Sequence, residues 1–298
     1  MVFAEIIPEF LRYIRFEKRM SDHTFLAYQN DLTSFFTFLE SQYELTGIGE
    51  VKHTHIRSWL AGLKEAQCSE RTLQRKISAV KSLYKYLLRT GAVTVNPTRL
   101  VLTPKAPARL PVFLEEQQTE LIGGGATAFA EGFEGVTEYL ILELLYQTGM
   151  RRAELVQLKE ADVEYSRQQI RVLGKRNKER MVPAGDALLA ELKAYTELKR
   201  KNFNQAEPFL LCLKTGKRLY AQYVYRVVQK HLKGVTTLTK KSPHVLRHTF
   251  ATHMLNNGAE LNAIKEMLGH SSLAATQVYT HNNIERLKEV YRKAHPKS

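Results

Sequence analysis

Cysteine is scarce in this chain of 298 residues, which contains only Cys68 and Cys212. Two cysteines so far apart supply neither a disulfide framework nor the paired thiolates of a structural zinc site. Because chains without disulfides are typical of reducing compartments, we expect the protein in the cytoplasm. The N-terminal residues agree with this expectation, since Glu5 and Glu9 lie there without a basic residue, unlike in a secretory signal.

Long apolar runs are also missing. The most apolar stretch, Tyr139 to Tyr146, has about eight residues, whereas a membrane-spanning helix needs about 20. Hydrophobic residues nevertheless make up 44% of the chain and charged residues 25%, as in ordinary globular proteins. This composition excludes wholesale disorder, collagen-like repeats and coiled coil, and we expect no membrane partner.

Acidic residues are also few relative to basic residues. The chain has 44 lysine and arginine residues against 30 aspartate and glutamate residues, a net charge of +14. An excess of this size indicates a polyanionic partner. With no candidate membrane segment, nucleic acid is the favoured polyanion.

A proline-rich stretch predicts a division into two domains. Four prolines fall within fifteen residues, at Pro97, Pro104, Pro107 and Pro111. Such a stretch is extended and packs poorly, which predicts a linker at 104–111 between domains at 1–103 and 112–298. Residues 1–105 have 15 basic and 10 acidic side chains and residues 106–298 have 29 and 20, an excess of +5 and +9. We therefore expect both domains to contact the same polyanion.

The first domain is predicted to be helical. Apolar residues at helical spacing predict four helices. They are Phe3 to Arg19, Thr24 to Leu39 with Ser21 before it as N-cap, Thr54 to Lys64, and one that follows Ser69 as N-cap and ends at Gly91. Opposite the apolar stripe of the fourth helix lie six basic residues, Arg71, Arg75, Lys76, Lys81, Lys85 and Arg89. A basic face of this kind is either simply solvated or bound to a DNA backbone, and the net charge favours DNA.

The second domain is predicted to mix helices with a small antiparallel sheet. Alternating apolar residues indicate the sheet, at Val163, Tyr165, Ile170, Val172 and Val182. A strongly apolar helix is expected over Val136 to Thr148, where Gly149 stops it, and Ser242 with Pro243 marks the start of another. The glycine-rich segment at 123–135 lacks the GK[ST] of a phosphate-binding loop and is interpreted as a plain loop.

Four short motifs carry the candidate chemistry. They are TGMRRAEL at 148–155, GKRNKER at 174–180, HVLRH at 244–248, and LGH at 268–270 followed nine residues later by Tyr279. Each motif alone is weak, because a single arginine or histidine is usually a surface or structural residue. The order and spacing of the four together are specific.

The two outer histidines of HVLRH also have the spacing of a metal-binding helix, His244 and His248 at i and i+4. No cysteine and no HExxH glutamate lies nearby, and Arg247 stands beside the rings. We therefore expect no metal site, and interpret His248 and His253 as structural.

The motif set resembles the tyrosine recombinase (lambda-integrase) family, and in particular the bacterial chromosomal Xer recombinases, over nearly the whole chain. The segments that carry the resemblance are SDHTFLAYQNDL, SERTLQRKISAVKSLYKYLLRTG, TGMR, GKRNKERMVP, HVLRHTFATHML and LGHSSLAATQVYTH. The resemblance implies a mainly α fold with an N-terminal helical, SAM-like core-binding domain. It also implies a mixed α+β catalytic domain with a small antiparallel sheet.

The resemblance also implies a catalytic set: Arg151, Lys175, His244, Arg247, His270 and the nucleophile Tyr279, with Glu154 supporting Arg151. Arginine suits a phosphodiester because its planar guanidinium binds two oxygens at once. Tyrosine has a pKa near 10 and needs a proton acceptor at neutral pH, for which His244 is the candidate, while Lys175 would protonate the leaving 5′ oxygen. A phosphotyrosyl bond conserves the energy of the broken linkage, so neither a cofactor nor a metal is implied.

The implied partner is double-stranded DNA with a dif-like site, bound by a homo- or hetero-tetramer that exchanges strands through a Holliday junction to resolve chromosome dimers. An FtsK-type DNA translocase is the implied regulator. Candidate DNA-binding residues are Arg71, Arg75, Lys76, Lys81, Arg176, Lys178, Lys240 and Lys241. The C-terminal helix around Ile284 to Tyr291 either packs into a neighbouring protomer or folds back on its own domain.

Three alternatives stay open. An integrase of a phage or mobile element usually has a further N-terminal arm-binding domain, whereas this chain begins at the core-binding helices. A type IB topoisomerase shares the nucleophile and the arginines but exchanges no partners. A noncatalytic DNA-binding protein would have no reason to keep the complete catalytic series.

Overall fold

The computed structural model describes residues 3–103, 112–122, 129–174, 178–204, 207–236, 238, 241–269 and 281–298. The chain divides into two compact units, Met1–Arg109 and Leu110–Ser298. The predicted linker at 104–111 and residues 123–128 of the glycine-rich segment lie outside the described residues. Within the described ranges, no helix has both the length and the apolar character needed to cross a membrane.

The first unit is built from four helices, close to the predicted ones. They are α1 (Phe3–Arg12), α2 (Asp22–Tyr43), α3 (His53–Glu65) and α4 (Glu70–Arg89). The first helix ends earlier than predicted, and a π-helical turn at Tyr13–Glu17 follows it. The apolar stripes meet in one core, which contains Phe10, Phe35, Trp59 and Ile77.

Two serines begin the second and fourth helices of this unit, as predicted. Ser21 and Ser69 have extended backbone angles, and each hydroxyl accepts a hydrogen bond from the backbone N–H three residues later, at 3.4 and 3.3 Å. This bond satisfies one of the N–H groups that a helix leaves without a partner at its start. Beyond α4, Gly91 has φ +73°, the left-handed conformation that stops a helix.

The basic face of α4 differs from the prediction at Lys76. Arg71, Lys85 and Arg89 are exposed, but the Lys76 side chain is only 13% exposed and lies 3.3 Å from Asp31 of α2. Arg75 also pairs with Asp31, whose side chain is 1% exposed. A buried carboxylate needs a cation beside it, which draws Lys76 into the helix interface, away from the exposed face.

The second unit surrounds the buried helix α6. Its helices are α5 (Glu116–Ile122), α6 (Phe133–Thr148), α7 (Arg152–Gln157), α8 (Asp186–Asn202), α9 (Ala221–Val235), α10 (Pro243–Asn256), α11 (Leu261–Leu268) and α12 (His281–Ala294). Every residue of α6 from Thr137 to Thr148 is buried. It begins at Phe133, three residues before the predicted start, so Gly135 belongs to the helix and not to the loop.

The predicted sheet has three antiparallel strands in the order β1 (Val163–Glu164), β2 (Gln169–Leu173) and β3 (Glu179–Pro183). Ile170 pairs with Val163 on one side and with Val182 on the other, so the buried face is apolar at all three positions. Tyr165 was expected in a strand but lies in a 3-10 turn between β1 and β2.

The C-terminal helix packs on its own unit, which is one of the two arrangements left open by its sequence. The apolar face of α12, with Leu287 and Tyr291 buried, joins a cluster with Phe250 of α10 and Ile264 of α11. Beyond the helix, the Lys297 ammonium lies 2.5 Å from the buried Glu143 carboxylate of α6. The end of the chain is therefore joined to the central helix by an ion pair as well as by apolar packing.

We predict that Ser69→Ala lowers the free energy of unfolding of the first unit by about 1 kcal/mol, because α4 loses its capping acceptor. Denaturant titration followed by the fluorescence of Trp59, the only tryptophan, measures that unit. Ser78 lies in the middle of α4, where its hydroxyl donates to the Gln74 carbonyl at 2.6 Å. Ser78→Ala is the matched control, and an equal loss there would contradict the capping role.

Candidate active site

The turn after α6 places Arg151 in the site. Gly149 ends the helix with φ +59°, and a Cβ at this position would lie 2.6 Å from the Phe250 ring and 2.8 Å from Leu268. Only glycine combines this conformation with such close neighbours. The turn therefore packs Gly149 against α10 and α11, two residues before Arg151.

Glu154 holds Arg151 by two bonds. At the start of α7 the Arg151 backbone N–H donates to one Glu154 carboxylate oxygen at 2.7 Å, and the Arg151 guanidinium donates to the other at 2.8 Å. The Arg151 side chain remains 38% exposed, whereas that of Glu154 is buried. The guanidinium is thus anchored from the protein side while part of it faces solvent.

Arg180 is a site residue that the sequence interpretation did not single out. It is 3% exposed, and its two terminal nitrogens donate to both oxygens of Glu154 at 3.0 and 2.7 Å. Its Nε donates to the Met267 carbonyl at 2.7 Å. The signal was present in β3, because Arg180 is two residues from Val182 and so shares its buried face. An arginine on that face requires a buried anion.

These contacts determine the ionisation of Glu154. Burial by itself would raise its pKa, but hydrogen bonds and charge from Arg180, and then the bonds from Arg151, lower the pKa below its ordinary value. The carboxylate is therefore ionised at neutral pH, as its two guanidinium partners require.

Arg247 lies on α10 and belongs to the same cluster of charged side chains. It is 8% exposed, and its terminal nitrogens donate to the Gly149 carbonyl and the Leu268 carbonyl, both at 2.6 Å. Burial, then the positive charges of Arg151 and Arg180, lower the pKa of Arg247 to about 10. It stays protonated at neutral pH. Three guanidiniums thus meet around one carboxylate among the described residues, a balance that favours an anionic ligand.

His244 stands one helical turn before Arg247. It lies in the first turn of α10. Partial desolvation of its ring, then the charges of His248, Arg247, Arg152 and Arg151, lower its pKa below 6.5. At neutral pH its imidazole is therefore uncharged and has a nitrogen lone pair that can accept a proton.

The other histidines of α10 differ from each other. His253 is buried, and its ring nitrogens lie 2.9 Å from the Tyr146 hydroxyl and 2.7 Å from the Leu114 carbonyl, in the structural role expected of it. His248, which was also expected to be structural, is exposed. Across the described ranges, no group of three or more His, Cys, Asp or Glu side chains has a metal-binding arrangement.

Several predicted residues lie outside the described residues: Lys175, Arg176, Lys240, His270 and Tyr279. The described glycines that precede two of them are close to the arginine cluster. A Cβ on Gly174 would lie 3.6 Å from a Glu154 oxygen, and one on Gly269 would lie 3.3 Å from an Arg180 nitrogen. The chain thus enters both undescribed segments beside Glu154 and Arg180.

The predicted DNA-binding residues that the structure describes are Lys178 and Lys241 in the second unit and Arg71, Arg75, Lys76 and Lys81 in the first. Lys178 is exposed and Lys241 partly exposed, and Gly174 N–H donates to the Lys178 carbonyl at 2.8 Å to close the β2–β3 hairpin. In the first unit, Lys81 donates to the Thr103 hydroxyl at 2.7 Å.

Comparison with known proteins identifies the family. The phage integrase family matches residues 113–286, and the N-terminal SAM-like domain of phage integrases matches residues 7–91. The chain belongs to the phage integrase family. The resemblance to tyrosine recombinases, the mainly α fold with a SAM-like N-terminal domain and the recombinase activity are thereby confirmed.

The relatives of this recombinase are of the Xer type. It is 40% identical to tyrosine recombinase XerC of Pelobacter propionicus over 99% of this chain and 96% of that one. It is also 36% identical to tyrosine recombinase XerD of Staphylococcus saprophyticus over 98% and 99% of the two chains. The chain is accordingly a site-specific DNA recombinase, similar to both named types.

Solved structures share its fold. The XerH site-specific recombinase bound to a palindromic difH substrate matches with a TM-score of 0.73 and 21% identity, over 95% of this chain and 82% of that one. The Tn1549 transposon integrase in complex with transposon right end DNA matches with a TM-score of 0.69 and 18% identity, over 96% and 99%. Both similarities concern the fold.

We predict that His244 titrates with a midpoint below 6.5, because burial and the neighbouring positive charges oppose its protonation. An NMR titration of the ring protons of the recombinase, with His244 assigned by comparison with His244→Gln, measures this midpoint. Unfolding in urea removes both causes and should return the midpoint to the ordinary value. A folded-state midpoint at or above 6.5 would contradict the neutral imidazole.

Proposed function

We propose that this recombinase cuts and rejoins double-stranded DNA at a dif-like site and thereby resolves chromosome dimers. The observation that carries the proposal is the pair Arg151 and Arg247, held near each other by Glu154, Gly149 and Leu268. We place the reaction in the cytoplasm. The sequence identity of this chain to XerC and XerD proteins, 40% and 36% over nearly the whole chain, supports the chromosomal role.

The two arginines would bind the nonbridging oxygens of the scissile phosphate. Attack on a phosphodiester adds negative charge to these oxygens, and planar guanidiniums fixed beforehand stabilise it without reorganisation. Arg151 is anchored by Glu154 and Arg247 by two backbone carbonyls, so neither side chain has to be ordered during the reaction. Removing one such donor typically costs a hundredfold or more in rate, about 3 kcal/mol.

The nucleophile would be Tyr279, with His244 accepting its proton. The Tyr279 oxygen forms a bond to phosphorus, the bond from phosphorus to the 5′ oxygen breaks, and Lys175 protonates that leaving oxygen. The lowered pKa of His244 supports the first transfer, since an imidazole that is already protonated accepts nothing. His270 would donate a hydrogen bond to the same phosphate, beside the Gly269 that abuts Arg180.

The reverse reaction would rejoin the strands. A 5′ hydroxyl from the partner duplex attacks the 3′-phosphotyrosyl bond and releases Tyr279, so the number of high-energy bonds does not change. In this mechanism the chain's own residues supply all the proton transfers, and neither ATP nor a metal is required.

Both domains would hold the DNA. We propose domain boundaries at 1–103 and 112–298, with 104–111 as linker, and basic residues of each domain against the backbone. In the first domain, Arg71 and Lys81 are the better candidates, because Arg75 and Lys76 are already paired with Asp31. In the second, the candidates are Arg176, Lys178, Lys240 and Lys241. We expect each phosphate contact to add about 0.9 to the logarithmic salt dependence of binding.

Recombination through a Holliday junction would need four protomers, alike or of two related types, with an FtsK-type translocase as regulator. In the structure α12 packs on its own unit and Lys297 pairs with Glu143. Assembly in which this helix moves to a neighbouring protomer would have to break that pair first.

The second candidate is an integrase of a phage or mobile element, favoured by the fold shared with the Tn1549 transposon integrase. Sequencing the DNA that is trapped covalently on the recombinase in the cells that produce it distinguishes the two candidate functions. One chromosomal locus near the replication terminus supports dimer resolution, and the ends of a mobile element support an integrase.

We predict that Tyr279→Phe abolishes the covalent complex with DNA, because phenylalanine has no oxygen to attack phosphorus. The measurement mixes the protein with a nicked half-site of the trapped sequence and counts complexes that survive denaturing detergent. Tyr291→Phe is the control, since Tyr291 is buried in the α12 core and should leave the complex intact. A surviving complex in Tyr279→Phe would falsify the assignment of the nucleophile.

We predict that Lys175→Ala slows cleavage of an ordinary substrate at least tenfold but slows cleavage of a 5′-thiolate substrate much less. A thiolate leaves without protonation, so a missing general acid does not matter there. Single-turnover rates on the two substrates measure the difference, with Lys214→Ala as an exposed lysine control. Equal losses on both substrates would rule out Lys175 as the general acid.

A further inference from the structure

Hydrogen bonds and two short backbone segments join the two arginines of the site in a closed path. Arg151 bonds to Glu154, and Glu154 accepts both terminal nitrogens of Arg180. Arg180 donates to the Met267 carbonyl, and the next carbonyl, that of Leu268, accepts from Arg247. Arg247 also donates to the Gly149 carbonyl, two residues before Arg151. The path therefore returns to its starting point.

We propose that Arg180 is a positioning residue for the recombination reaction, setting the place of Arg151 through Glu154 and the place of the end of α11 through Met267. This inference rests on the proposed roles of Arg151 and Arg247 at the scissile phosphate. It adds a residue that would hold Arg151, the proposed phosphate ligand, through Glu154, and would hold the end of α11, which precedes His270.

The geometry explains why one guanidinium serves both purposes. Its two terminal nitrogens match the two oxygens of Glu154, and its Nε points along a third direction to Met267. A carboxylate held at both oxygens has one orientation only, and Arg151 bonds to that carboxylate. A lysine at this position could approach one oxygen as a point charge but could not hold the plane of the carboxylate.

The position on α11 matters because the last carbonyls of a helix have no partner within it. Met267 and Leu268 are the final residues of α11, and Arg180 and Arg247 bind their carbonyls from two sides. Gly269 follows, so close that a Cβ there would lie 3.0 Å from the Arg180 side chain. Arg180 therefore fixes the point at which the chain leaves α11 toward His270.

A contribution to the stability of the fold does not explain well why an arginine is buried at position 180. Replacing a buried ion pair with apolar side chains of similar volume is often neutral or stabilising. In addition, the charge of Arg180 lies close enough to Arg247 to oppose its protonation. Arg180 is therefore explained better by its effect on the orientation of the Glu154 carboxylate than by a contribution to the stability of the core.

The test compares Arg180→Lys, Arg151→Ala and a control on two substrates. The substrates are nicked half-sites of the trapped sequence, one with a phosphodiester and one with a methylphosphonate at the scissile position. A methylphosphonate has one methyl group in place of a charged oxygen, so an enzyme that lacks a correctly placed arginine loses less on it. The control is Arg171→Lys, because Arg171 on the neighbouring strand pairs with Asp162 at 2.8 Å.

We expect Arg180→Lys to reduce the single-turnover cleavage rate of the phosphodiester ten- to a hundredfold, about the effect of displacing a catalytic group slightly. DNA affinity should change less than twofold. The fold loss of cleavage rate of Arg180→Lys should be at least fivefold smaller on the methylphosphonate than on the phosphodiester, and Arg151→Ala should show the same difference. Arg171→Lys should cleave both substrates at the rates of the unchanged protein. Because each ratio is measured on one sample, a partly unfolded fraction cancels.

Three results would overturn the inference. In the first, Arg180→Lys cleaves the phosphodiester at the normal rate. In the second, its cleavage rate falls equally on both substrates while that of Arg151→Ala does not. Either result would make Arg180 a merely structural residue and would leave the proposed function standing. If Arg151→Ala itself loses nothing on the phosphodiester, the proposed role of Arg151 fails, and the positioning role of Arg180 fails with it.

Discussion

The Glu154 carboxylate is the interaction on which the site depends. It accepts the Arg151 backbone and guanidinium on one side and the bidentate Arg180 guanidinium on the other. Buried without these partners it would be protonated or would unfold its surroundings, since an isolated buried charge is among the most costly features of a protein interior. With them it is a fixed negative centre that orients two cations, and through Arg180 it also reaches the end of α11.

The surrounding fold brings these groups together by burying α6. This helix is buried from Thr137 to Thr148, and the glycine after it packs against Phe250 of α10 and Leu268 of α11, two residues before Arg151. Basic side chains cover two buried acidic residues of α6: Glu138 lies 2.7 Å from both Lys230 and His231, and Glu143 is paired with Lys297 near the end of the chain. The same packing thus connects the site, the central helix and the terminal segment.

The net charge of +14 is consistent with a DNA-acting recombinase, but its positive groups are not equivalent. Some, such as Lys76 and Arg180, neutralise buried carboxylates and are not available to a ligand. Others, such as Arg151, are anchored inside and still open to solvent. A count of charges cannot separate these classes, because the difference lies in which carboxylate or carbonyl each side chain meets.

The sequence by itself determined the family, the helical first unit, the capping serines and the small sheet, because local periodicity and short motifs encode them. It also indicated Arg151, Glu154, His244 and Arg247 through motifs, although their catalytic roles stay predictions. Only the tertiary structure showed that Arg180 joins Glu154, that Lys76 faces Asp31 and that α12 lies on its own unit. These facts depend on contacts between residues far apart in sequence, where periodicity shows which face is buried but not which partner it meets.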